Sequence, residues 1–160
     1  MLYSIVMEQV KQKVTLRTFD TYLALVKNSP GTKMFRNIYA DVDGEYRDIT
    51  DGGDLSCAFF VSSVLLIFES IERVHATVVS TVKDMEKSGW EDAEEPRPGD
   101  LIVWGAERSN ERKHKHIGFF LGDDKVVSNS KNSRHPIEHF MKMRDRDIER
   151  ILTNESLRGR

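Results

Sequence analysis

Ser56-Cys-Ala-Phe-Phe-Val-Ser-Ser-Val-Leu-Leu-Ile-Phe-Glu-Ser-Ile71 carries apolar side chains on nearly every side of a helical projection. A helix that is greasy all round has no face to turn to water, so this stretch is expected in the middle of a domain. Asp54 or Ser56 can serve as its N-cap, since either can accept a hydrogen bond from a first-turn amide. The only cysteine of the chain, Cys57, then falls in the first turn. Beyond Glu94-Glu-Pro-Arg-Pro-Gly99 the pattern changes to short β-branched or aromatic runs, Leu101–Trp104, His116–Leu121 and Lys125–Asn129, which predict strands. Gly122-Asp-Asp124 reads as the tight turn of an antiparallel hairpin between the last two. Helices first and strands afterwards predict an α+β fold, with an antiparallel sheet packed on the buried helix.

Working outward, Leu16, Phe19, Leu23 and Val26 recur at helical spacing until Asn28-Ser-Pro-Gly31 breaks the pattern. Met34 to Gly53 has no sustained period and is expected to be irregular or to form short edge elements. Val78, Val82 and Met85 mark a second, amphipathic helix that stops at Ser88-Gly89. A short helical turn is expected from Pro136 to Met143, with Pro at its first position. Asp147 to Leu152 is expected to close the sheet, and the tail from Thr153 to fray.

The 160 residues suit one domain, with a helical segment over 1–30 at its start. Hydrophobic residues make up 39% and charged residues 31%, and no stretch approaches a bilayer-spanning helix, which argues against membrane insertion. A net charge of -2 gives no overall attraction to nucleic acid. The one dense basic run, Arg108 to Lys115, lacks interleaved aromatics and reads as a solvated loop. A lone cysteine cannot form an internal disulfide, as is usual in a reducing compartment. Met1 to Lys11 shows no basic region followed by a long apolar run, so a cytoplasmic location is expected.

A thiol attacks as thiolate, and a helix N-terminus favours that form through its partial positive charge and unpaired amides. The same amides can hold the oxyanion formed when sulfur attacks a carbonyl. The second requirement is an imidazole that takes the thiol proton and returns it to the leaving group, and His116 opens a strand expected to pack on that helix. His114 and His116 form an H-x-H pair without a fixed set of further ligands, so no metal is expected, and no other cofactor is called for. His135-Pro-Ile-Glu-His139 lacks the Glu of a zincin motif.

Three segments carry a resemblance. Asp54-Leu-Ser-Cys-Ala-Phe-Phe-Val61, Arg97-Pro-Gly-Asp-Leu-Ile-Val-Trp104 and His116-Ile-Gly-Phe-Phe-Leu-Gly122 resemble, in this order, the signature blocks of NlpC/P60 papain-like hydrolases. The match spans about Asp54 to Asn129. The first block departs from the family, with Leu-Ser between Asp54 and Cys57 and Ala-Phe after the cysteine. Phe59 there could crowd a substrate channel. Asp100, at a strand start, resembles a residue of the second block and is read as a turn-bonding group.

The resemblance implies a papain-like cysteine peptidase or amidase, with Cys57 as nucleophile, His116 as base and a polar residue on the next strand steering the imidazole. Counting gives Ser128 for that third position. Hairpin geometry leaves a choice, because a two-residue loop puts Asn129 on the His116 face and a three-residue loop puts Ser128 there. Tyr46, eleven residues before Cys57, lies near where the family places a tyrosine lining the substrate groove. The implied substrate is a peptide, such as a peptidoglycan stem peptide or muropeptide. Two alternatives stand beside it: a thiol amidase acting on a cytoplasmic substrate unrelated to the cell wall, and an inactive binding module that keeps the fold.

Overall fold

The computed structural model describes residues 13–109 and 113–160. The reading of Met1 to Lys11, the start of the segment 1–30 and part of the Arg108–Lys115 loop lie outside them. Helix α1 (Thr18–Asn28) is followed by a hairpin of β1 (Tyr39–Val42) and β2 (Glu45–Asp48), a short 3-10 turn (Asp51–Gly53), helix α2 (Cys57–Ile67) and helix α3 (Val78–Lys87). Then come β3 (Glu91–Asp92), β4 (Leu101–Trp104), β5 (His116–Gly122), β6 (Lys125–Ser130), β7 (His135–Phe140), β8 (Ile148–Thr153) and helix α4 (Glu155–Arg158). β1 and β2 pair with each other, while the other six strands form one sheet in the order β3-β8-β4-β5-β6-β7. Every pairing is antiparallel.

Most of the apolar α2 stretch is buried, Phe60, Val61, Val64 and Leu65 having no exposed surface, while Leu66 and Ile67 at its C-terminal end are exposed. It packs on one face of β5 and β6 against Ile117, Phe119 and Val127. The opposite face carries a smaller cluster of Ile102, Trp104, Phe120 and Val126, with Met141 and Met143 packed against it. The helix ends at Ile67, before the expected Ile71. Ser56 is its N-cap residue but makes no side-chain cap bond, its hydroxyl donating instead to the Arg36 carbonyl (3.2 Å). The first-turn amides of α2 are thereby left without a side-chain cap.

The hairpin combines the two loop alternatives. Asp123 and Asp124 both have positive φ (50° and 59°), the geometry of a primed two-residue turn, and Gly122 pairs with Lys125. A bulge between Phe120 and Gly122 then shifts the register, so that Gly118 pairs with Ser128. One extra residue on one strand exchanges the faces of everything beyond it.

Three expectations are corrected. The stretch from Pro136 is a strand rather than a helical turn, because β7 pairs along the whole of β6 from Lys125↔Phe140 to Ser130↔His135. β7 lies at the sheet edge, where the N–H missing from Pro136 costs no ladder bond. The tail does not fray: Asn154 caps α4 by accepting from the Leu157 amide (2.9 Å), and Leu157 is buried. Arg158 donates to Asp100 Oδ1 (2.6 Å), tying α4 to the turn before β4, while Asp100 Oδ2 accepts from the Arg97 amide (2.7 Å). Leu16 lies outside α1 and is exposed; Tyr22 and Val26 are the buried residues of that helix.

Candidate functional site

A cleft of about 640 Å³ opens where the N-terminus of α2 meets the start of β5. Its walls include Cys57, His116, Ser128, His139 and Arg146. The backbone amides of Ile117, Ala58 and Cys57 itself lie near enough to the Cys57 sulfur to favour its thiolate. Ile117 follows His116 in β5, so thiol and imidazole stand at the same end of that strand. Both residues are half-buried, open to the cleft and otherwise surrounded by protein.

Burial pushes the Cys57 thiol above its ordinary pKa, although the Ile117 and Ala58 amides, the charge of Arg146 and its own amide pull the other way. Burial drives the His116 imidazole down to about 3, and the positive charge of Arg146, with any charge on His139 when that ring is protonated, acts in the same direction. Both shifts favour the uncharged forms, a thiol on Cys57 and a neutral imidazole on His116. A thiol and a neutral imidazole within reach of each other can pass the proton as the sulfur bonds to an electrophile, which is general-base activation of a nucleophile.

Register decides what meets the imidazole. Trp104 pairs with His116, Gly118 with Ser128 and Val126 with His139, and directly opposed residues share a sheet face. His116, Ser128 and His139 thus lie together on the face away from α2. Ser128 Oγ is 2.8 Å from His116 Nε2 and 2.6 Å from His139 Nε2. The buried Trp104 ring packs beside both imidazoles, with centroids 5.4 Å and 6.0 Å away, and is held by a bond from its Nε1 to the Met141 carbonyl (2.9 Å).

Asn129 has the opposite orientation. Its Nδ2 donates to the Gly53 carbonyl (2.7 Å), pinning β6 to the turn that leads into α2. Tyr46 lies on the separate hairpin, where its ring stacks on Tyr39 at 5.3 Å, and it is not among the residues lining the cleft. His114 lines the cleft, and its carbonyl accepts from Arg146. Among the described residues no cluster of His, Cys, Asp or Glu is placed to hold a metal ion, and no helix is long and apolar enough to cross a membrane.

Two residues escaped the reading of the sequence. His139 sits in a stretch that alternates across the sheet, His135-Pro-Ile-Glu-His-Phe140, but Pro136 suggested a helix start. A period-two reading would have found it. Arg146 lies in the irregular segment before β8, where nothing in the local pattern points to it. It is anchored by bonds to the carbonyls of Gly105 and His114 (2.7 Å each) and by Glu107 (3.0 Å).

No known family profile matches the chain, and no curated protein matches it. Among solved structures, NlpC2 from Trichomonas vaginalis superposes with a TM-score of 0.52 at 16% identity, over 89% of this chain and 50% of that one. The fold is NlpC-like. The chain spans about half the length of that protein. The likeness adds architecture to a site that the chain's own residues define.

Proposed function

We propose that this chain is a cysteine hydrolase that cleaves an amide bond through an acyl-thioester, as one papain-like NlpC/P60-type unit. The observation that carries this reading is that Cys57, at the start of α2, and the hydrogen-bonded His116–Ser128 pair line one cleft. Cys57 Sγ attacks the substrate carbonyl carbon as its proton passes to His116. The carbonyl electrons move to oxygen, which the uncapped amides at the start of α2 receive. Collapse breaks the C–N bond, and the departing amine takes the proton from His116. Water then attacks the thioester carbonyl as His116 takes one of its protons, the C–S bond breaks to release the acid product, and the departing sulfur takes that proton back from His116 as thiol.

The resemblance in the three sequence blocks favours a peptide substrate of the cell-wall stem-peptide class. The test is digestion of a panel of purified muropeptides and unrelated peptides, with products read by mass, for wild type and Cys57→Ala. Cleavage of at least one substrate class by wild type and none by the variant is expected. Equal product from both would refute the thiol mechanism.

An inactive binding module is the second reading, and the raised thiol pKa together with the Ala-Phe that follows Cys57 favours it. Tight binding of a muropeptide by wild type without turnover would decide for it.

A further inference from the structure

We infer that His139 is a positioning residue that, through Ser128, fixes which nitrogen of His116 is free to act as base. The inference rests on the hydrolase reading for its meaning, and on hydrogen-bond polarity for its content. His139 Nδ1 lies 2.9 Å from the Phe140 carbonyl oxygen. A carbonyl oxygen only accepts, so Nδ1 carries the proton. In a neutral imidazole the other nitrogen then holds a lone pair, and burial keeps His139 neutral by lowering its pKa. His139 Nε2 is 2.6 Å from Ser128 Oγ, so the hydroxyl donates to it.

A hydroxyl has one proton. Having given it to His139, Ser128 offers only lone pairs to His116 Nε2 at 2.8 Å, and that nitrogen must be the donor. The chain therefore runs one way, from His116 Nε2–H to Ser128, from Ser128 O–H to His139 Nε2, and from His139 Nδ1–H to the Phe140 carbonyl. Its result is a His116 that is protonated on Nε2 and bare on Nδ1, the nitrogen left to accept the thiol proton.

A serine alone is an ambiguous guide. Its hydroxyl can rotate and donate to His116 Nε2, which would move the imidazole proton to Nδ1 and remove the base. His139 takes away that freedom. The bulge in the β5–β6 hairpin and the Val126↔His139 register place the two rings on either side of one hydroxyl, and the buried Trp104 ring backs both.

The test reads the tautomers directly, by long-range proton–nitrogen correlation on protein labelled with ¹⁵N-histidine at neutral pH. Wild type is expected to show His116 protonated on Nε2 and His139 on Nδ1. His139→Leu should move His116 toward the Nδ1-protonated form, while His139→Gln, whose amide oxygen can accept from Ser128, should keep the wild-type pattern. On any cleaved peptide, kcat of His139→Leu should fall about 10- to 100-fold with KM within about twofold, and His139→Gln should recover most of the loss.

Wild-type His116 protonated on Nδ1 would overturn the inference without any variant. So would a His139→Leu protein with the wild-type tautomer and kcat. Should that variant fail to fold, Ser128→Ala cuts the same chain and must release the His116 tautomer. Predicted tautomers in a protein that cleaves nothing would sink the hydrolase reading and leave the hydrogen-bond chain standing.

Discussion

Gly118 on β5 faces Ser128 on β6 so closely that a Cβ built on the glycine would stand 2.7 Å from the serine Cβ and 2.8 Å from the Val127 carbonyl oxygen. The missing side chain is what lets the two strands close while Ser128 reaches the imidazole two residues back along β5. Gly118→Ala must push the strands apart by displacing backbone, an overpacking strain of about 1 to 3 kcal/mol. Both a lower denaturant midpoint and a loss of turnover are expected. Unchanged urea unfolding would show that the hairpin absorbs the methyl group.

Ser128 and Asn129 are neighbours in sequence with separate tasks. Ser128→Ala removes the acceptor of the His116 Nε2 proton, so kcat should fall by about tenfold or more with little change in KM. Asn129→Ala removes the bond to Gly53 and leaves a buried carbonyl unpaired, at a cost of about 1 to 3 kcal/mol of stability. Kinetics and urea titration of both variants separate the two roles. A larger kcat loss in Asn129→Ala would reverse the assignment.

Activity should persist into acid. Burial takes the His116 pKa from its ordinary 6.5 down to about 3, so the free base exists throughout the range in which an exposed histidine would be charged. The acid limb of kcat/KM is therefore expected near pH 3. The unfolded chain binds that proton at higher pH than the folded one, so stability declines as the pH falls from 6.5 toward about 3. Initial rates must accordingly be recorded alongside tryptophan fluorescence. Half-maximal activity near pH 6.5 in a still folded protein would show that the imidazole is solvated.

Asp84 gives a second pH effect, of structural origin. Burial pushes its carboxyl up, but bonds from the Glu72 amide, the His75 ring, the Arg73 amide and Ser88 outweigh this and hold it below the ordinary value of 3.8. A depressed carboxyl contributes stability above its unfolded pKa and loses it as the pH falls through the folded one. Asp84→Asn should cost about 1 to 3 kcal/mol at neutral pH, with the gap closing below about pH 4. Urea midpoints of both proteins at pH 7 and in acid check this. A constant gap would exclude the carboxylate as the cause.

The two ends of the core are open to one comparison. Leu65 in α2 and Leu157 in α4 are both almost fully buried. Truncation of either to Ala should cost about 2 to 5 kcal/mol through lost transfer energy and a cavity. A Leu157→Ala protein as stable as wild type would return the C-terminal segment to a frayed tail.

Composition and period were enough to reveal the parts that depend on burial. The run from Cys57 to Ile67 has to be an interior helix because it has no polar face, and β4, β5 and β6 have to be strands because β-branched and aromatic residues recur between turn signals. Those local patterns also placed Cys57 at a helix start and His116 at a strand start. What the chain could not disclose locally was pairing. Whether Ser128 or Asn129 shares a face with His116 depends on a single bulged residue in β5, and turn chemistry predicted a tight turn there while leaving its length and the register beyond it open. Pro136 suggested a helix until β6 supplied a partner strand, and the tail looked free until Asp100 supplied a partner for Arg158. His139 entered the site only through that same strand pairing. Helix and strand periods are carried by neighbours in sequence, whereas hydrogen-bond register and ion pairs are set between residues far apart in the chain, and only the tertiary structure brings those together.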